Sequence, residues 1–104
     1  MHLVAVTACP TGIAHTYMAA ERLEKAARKL GHTIRVETQG AMGIENELTA
    51  DDLARAAVVV LAAAIPVRGR ERFDGLPILE ASVQEAIKDA ERLISTAIAA
   101  RANH

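Results

Sequence analysis

Aromatic residues are almost missing from this chain: among 104 residues there is no tryptophan, and Tyr17 and Phe73 are alone. That argues against a stacking platform for single-stranded nucleic acid, which needs aromatic faces. Charge of one sign is also lacking. Twelve Lys+Arg stand against 13 Asp+Glu for a formal net charge of −1, which leaves no electrostatic footprint for nucleic acid and no basic run for a membrane surface. Cys9 is the one cysteine, so neither an internal disulfide nor a dithiol redox pair is available. The longest apolar run, residues 56–65, stops at Pro66 and is too short to span a bilayer. No charged leader precedes the first apolar run, so no signal peptide is expected. Neither Gly-x-x-x-x-Gly-Lys-Ser/Thr nor Gly-x-Gly-x-x-Gly occurs, which excludes those two nucleotide-binding patterns. A single cysteine with scattered histidines gives no metal-ligand spacing, so neither metal nor cofactor is expected. The class that remains is a small soluble cytoplasmic domain.

Apolar residues make up 51% of the chain, enough for one core in one domain over residues 1–104. With so few aromatics the core must be Val, Ile, Leu and Ala, a composition suited to helices packed closely on a sheet. Residues 3–8 form a β-branched apolar run that reads as a strand buried on both faces. From about 14 to 30 the period becomes helical, with Ala20, Leu23, Ala27 and Leu30 on one side. Glu21/Lys25 and Glu24/Arg28 are i,i+4 pairs in the favourable order, and Gly31 is a natural stop. Residues 34–38 return to strand character, and 39–47, with Gly40 and Gly43, read as a loop. Thr49 caps a short helix with Asp51 and Asp52 in its first turn. Val58-Val59-Val60-Leu61 is the most strongly buried strand, residues 66–75 are a polar connector, and 77–80 are a short strand. Ser82-x-x-Glu85 is a capping box for one final helix reaching about Ala102, striped by Val83, Ile87, Ala90, Ile94 and Ala97. The order β-α-β-α-β-turn-β-α predicts an α/β fold with a mostly parallel sheet covered on both sides.

In such a sheet ligands bind beyond the C-terminal strand ends, where Cys9 and the loop after Thr38 fall. Cys9-Pro10-Thr11-Gly12-Ile13-Ala14-His15-Thr16 follows the first strand and opens the first helix. The positive end of the helix dipole favours the thiolate there. Amides of Gly12, Ile13, Ala14 and Thr11 can curl into an anion-binding nest. Pro10 keeps Cys9 extended, and Gly12 allows close approach of a phosphate oxygen to the backbone. Thr11 and Thr16 add hydroxyl donors, and His15 can reach back toward the sulfur. Met18 and Met42 read as packing residues.

These residues point to thiol-based phosphoryl chemistry with two competing readings. Cys-x5-Arg is the phosphate loop of low-molecular-weight phosphatases, but here the spacing is Cys-x5-His, without the guanidinium fork that clamps a phosphate dianion. The Asp-Pro general acid of those enzymes is also missing, since the prolines follow Cys9, Ile65 and Leu76. A site that holds phosphocysteine without an efficient route to water suits a relay better than phosphatase-like hydrolysis, and a regulatory phospho-binding module stays as a further alternative.

The run from Val4 to Thr16 with Met18-Ala19-Ala20-Glu21 resembles the fructose-type enzyme IIB domain of the bacterial phosphoenolpyruvate-dependent sugar phosphotransferase system. So do Val36-Glu37-Thr38-Gln39-Gly40 and Gly43-Ile44-Glu45-Asn46-Glu47-Leu48-Thr49, with weaker similarity from Arg72-Phe73 to Ala86-Ile87. The resemblance implies a Rossmann-like three-layer sandwich whose four-stranded parallel sheet has the order 2-1-3-4, with helices on both faces. It implies that Cys9 is phosphorylated by a phosphohistidine on enzyme IIA and passes the group to a sugar, fructose or a related hexose, delivered by the membrane enzyme IIC. The domain itself would not insert in the membrane but work at its inner face. Acids are common in the family where this chain has Ala57 and Ala64, and lysine where it has Leu76; none of these lies in the Cys9 loop.

Overall fold

The computed structural model describes residues 1–10 and 13–102. Strand β1 (His2–Ala8) leads to helix α1 (Ile13–Lys29), β2 (Thr33–Gly40), β3 (Gly43–Glu45), α2 (Ala50–Arg55) and β4 (Ala56–Ala63). A short 3-10 turn (Arg70–Phe73), β5 (Ile78–Ala81), α3 (Val83–Lys88) and α4 (Ala90–Ala102) complete the described order.

The sheet has five strands in the order β3-β2-β1-β4-β5. Its parallel part, β2-β1-β4-β5, keeps the order expected from the resemblance. The expectation of four parallel strands is corrected by β3, which pairs antiparallel with β2 from Thr38↔Glu45 to Gly40↔Gly43. The reversal turns on Ala41 and Met42, and Gly43 takes a φ of +87° that only glycine adopts without cost.

Side chains on β1 and β4 alternate between two cores. Leu3, Ala5, Val58, Val60 and Ala62 face α1, α3 and α4, where Leu23 and Ile94 are fully buried. Val4, Val6, Val59 and Leu61 face the other side, covered by Leu48, Leu53 of α2 and Phe73. Each such Val, Leu or Ile contributes roughly 1.5–3 kcal/mol by leaving water, and alternation on both faces explains why β1 reads as continuously apolar.

Helix ends follow the sequence in part. The α2 start is a complete capping box: the Asp52 amide donates to the Thr49 hydroxyl at 3.1 Å, and the Thr49 amide donates to the Asp52 carboxylate at 3.0 Å. At α3 only half of the expected box forms, the Glu85 amide donating to the Ser82 hydroxyl at 3.1 Å. The single final helix is corrected to two, because Asp89 leaves the helical region (φ −148°, ψ 56°) and its carbonyl accepts from the Leu93 amide. Aspartate competes well as a helix cap and poorly as a helix interior. Both i,i+4 pairs on α1 form, Lys25–Glu21 at 3.0 Å and Arg28–Glu24 at 3.1 Å. No helix among the described residues is long and apolar enough to cross a membrane.

Candidate functional site

The C-terminal edge of the sheet is where the chain gathers its unusual chemistry. Cys9 is a free, half-buried thiol immediately past β1 and packs against the α1-side core. The strand end is held from both neighbours: the Cys9 amide donates to the Gln39 carbonyl at 3.2 Å, and the Ala64 amide donates to the Ala8 carbonyl at 2.8 Å. Pro10 is exposed, Thr11 and Gly12 lie outside the described residues, and Ile13 begins α1.

Of the remaining loop residues, Ala14 and His15 are exposed on the first turn of α1. His15 borders a shallow groove with Met18, Val83, Gln84, Ile87 and Lys88, which turns it toward α3. Thr16 is buried, at 2% exposure. Its carbonyl accepts from the Thr7 hydroxyl at 3.2 Å, which ties α1 to β1. The hydroxyls of Thr16 and Thr38 are both buried with no partner among the described residues and line one small cleft with Gly40. A Cβ at Gly40 would stand 3.5 Å from the Cys9 carbonyl oxygen and 3.7 Å from the Thr16 hydroxyl, so the cleft closes directly behind Cys9. Tyr17 and Met42 on its rim are exposed, as are Met18 and Ile44, with Met42 at 67%; the two methionines are therefore not the packing residues expected above. The Tyr17 hydroxyl donates to the Glu45 carboxylate, joining α1 to β3.

A charged network that sequence reasoning did not assemble lies on the opposite face of β2. Glu37 is completely buried. Arg72 donates to both of its oxygens, at 2.8 and 3.0 Å, the Leu48 amide donates at 3.0 Å and the Gln39 amide nitrogen at 2.7 Å. Gln39 in turn accepts from the Arg68 amide at 2.8 Å and donates to the Arg68 carbonyl at 3.0 Å. Burial pushes the Glu37 carboxyl up, but the Arg72 fork and the Leu48 and Gln39 donors outweigh it and hold the group below the usual carboxylate range. The same contact with Glu37 raises the Arg72 guanidinium above its ordinary value. Glu37 and Arg72 are far apart in the chain, so no local spacing could pair them, and Glu37 falls on a polar position of the alternating run 34–38. Among the described residues no group of three His, Cys, Asp or Glu side chains gathers as a metal would need.

A family model described as "PTS system, Lactose/Cellobiose specific IIB subunit" matches residues 4–96. The chain belongs to the IIB family of the phosphotransferase system. It is 56% identical over 96 residues to the PTS system 2-O-alpha-mannosyl-D-glycerate-specific EIIABC component of Escherichia coli K12, covering 92% of this chain and 15% of that protein. It is 50% identical over 93 residues to the PTS system fructose-like EIIB component 2 of the same strain, covering 89% of this chain and 88% of that one. A crystal structure of a domain from the fructose-specific IIABC component of Borrelia burgdorferi superposes with a TM-score of 0.90 at 45% identity, covering 94% of this chain and 93% of that domain. These relatives carry a phosphotransferase role in sugar transport, and the phosphatase-like alternative is not favoured.

Proposed function

We propose that residues 1–104 form one fructose-type IIB domain and that Cys9 is its phosphoryl carrier. The thiolate attacks the phosphorus of an Nπ-phosphohistidine on enzyme IIA in line; the S–P bond forms, the P–N bond breaks and the imidazole leaves with the electron pair. A sugar hydroxyl held by enzyme IIC then attacks the phosphorus, the S–P bond breaks, the hydroxyl loses its proton and the thiolate returns. Main-chain amides from Thr11 to Ala14, with the hydroxyls of Thr11 and Thr16, spread the charge on the transferring group, and His15 is the candidate side-chain donor to one of its oxygens, without a role as acid or base. Catalysis of this kind rests on positioning and electrostatics.

The observation that carries the reading is Cys9 itself: the sole thiol of an IIB-family chain, standing past a parallel strand and ahead of a long helix, where ligands of open α/β sheets bind. The Pro10 to Thr16 run supports it by its match to the fructose-type motif. The fructose-like name of one relative supports fructose or a related hexose as the sugar, and the EIIABC name of another supports partnership with IIA and IIC.

The test is phosphorylation by a charged IIA domain, with radiolabelled phosphoenolpyruvate as the source. The chain should gain one phosphate on the Cys9 peptide, and Cys9→Ser should gain none there. Equal labelling of Cys9→Ser would exclude the assignment, and rapid turnover of p-nitrophenyl phosphate would return the phosphatase reading.

A further inference from the structure

We propose that the Glu37–Arg72 ion pair, acting through Gln39, positions Cys9 for phosphoryl transfer. The proposal rests on the reading of Cys9 as the carrier. Cys9 stands just past β1, and its amide is fixed by one acceptor, the carbonyl of Gln39, at 3.2 Å. Whatever sets Gln39 therefore sets the Cys9 side of the strand end from which the chain turns toward α1, while the Ala64 amide holds the Ala8 carbonyl from the other neighbour.

Gln39 is held tightly. Its side chain is buried, at 4% exposure, and makes three hydrogen bonds, to the Arg68 amide, the Arg68 carbonyl and the Glu37 carboxylate. Glu37 is held by the Arg72 fork and the Leu48 amide. Arg72 is held by its own bonds to the carbonyls of Gly69 at 2.7 Å and Arg68 at 3.0 Å, and it lies 4.9 Å over the ring of Phe73. A continuous path of directional contacts runs from the buried Phe73 through Arg72, Glu37 and Gln39 to the Cys9 amide.

Stability alone does not account for the pair. Taking two charges out of water is costly, and an apolar pair of similar volume commonly stabilises as well or better. What an apolar pair cannot supply is a fixed direction for the Gln39 amide, and a fully satisfied buried network does. The geometry matters because in-line transfer is sensitive to displacements of about 1 Å, which can cost up to ~10²-fold in rate. Glu37, Gln39 and Arg72 touch no reacting atom and are positioning residues.

The double variant Glu37→Met/Arg72→Met separates direction from stability. We expect it to unfold in urea at a midpoint close to wild type or above it. Its single-turnover transfer from saturating phosphorylated IIA should fall roughly tenfold, with the KM for IIA unchanged, and its Cys9 amide should lose hydrogen-exchange protection while the Leu3 to Val6 amides keep theirs. Arg72→Lys, which keeps the charge and loses the fork, should show an intermediate rate, and it carries the same test should the double variant fail to fold. Wild-type rate together with wild-type Cys9 protection in whichever variant folds would overturn the proposal. If instead the wild-type chain acquires no phosphate on Cys9, the carrier reading fails, and the exchange measurement still decides whether the pair seats the Cys9 amide.

Discussion

Gly69 sits where any side chain would strike Arg72: a Cβ there would stand 2.7 Å from the guanidinium Nε, and the residue has a φ of +71°. Gly75 shares the left-handed backbone, with a φ of +86°, but a Cβ there would meet open space. The two glycines form a matched pair for separating backbone strain from displacement of Arg72. Gly75→Ala should cost about 1–2 kcal/mol, the strain of a left-handed alanine. Gly69→Ala should cost that and more, because Arg72 must also leave its carboxylate. Urea unfolding of both variants checks this, and equal losses would show that Arg72 can move aside freely.

Arg72→Met alone leaves a completely buried carboxylate without its counter-charge. Stranding one charge of a buried pair typically costs about 3–5 kcal/mol. A large fall in the urea midpoint is therefore expected, reversed to near the wild-type value or above when Glu37 is made apolar as well.

Acid should unfold this chain through two particular carboxyls. Glu37 is held below the usual range, as described. Asp52 is held there first by the Thr49 amide, against the opposing effect of burial, and then by the Thr49 hydroxyl and His2. A carboxyl depressed in the folded state binds protons more readily once unfolded. The stability it adds is thus complete above the unfolded pKa and is lost as pH falls through the folded one. Urea midpoints should hold steady near neutrality and drop from the ordinary carboxylate range downward, and Glu37→Gln should start lower and show a shallower acid limb. A profile of unchanged steepness in that variant would shift the acid sensitivity to Asp52.

His15 is exposed on α1, so His15→Ala should change stability by no more than about 0.5 kcal/mol. Transfer to Cys9 should nevertheless slow several-fold, short of the ~10²-fold loss typical of a full oxyanion donor. An unchanged single-turnover rate would reduce His15 to a helix-start residue.

Much of this was legible because the period of a buried strand and that of a helix differ. Residues 3–8, the Val58 to Leu61 run and the i,i+4 pairs of α1 were all placed by pattern. β3 escaped because three residues beginning with a glycine carry no period, and pairing with β2 is decided by the turn at Ala41 and Met42. The break at Asp89 escaped because the apolar stripe continues across it, Ala90 and Ile94 being buried on the far side. At the site, Cys9 and its motif stood out by residue type. The clamp did not, since Glu37 reads as one polar position of an alternating strand, and its partner arrives from the connector between β4 and β5. Tertiary contact alone brings the two together.

The three-residue hairpin arm also changes how the molecule meets others of its kind. Without β3, the outer rim of β2 would offer a long row of unpaired peptide groups to any passing strand. With it, Thr38–Gly40 are covered and the margin at that end of the strand becomes Gly43–Glu45, a length that makes a poor template for edge-to-edge pairing. A stretch too brief to be noticed in the chain thus works as a selvedge, blunting the rim of the sheet at the end where Cys9 lies.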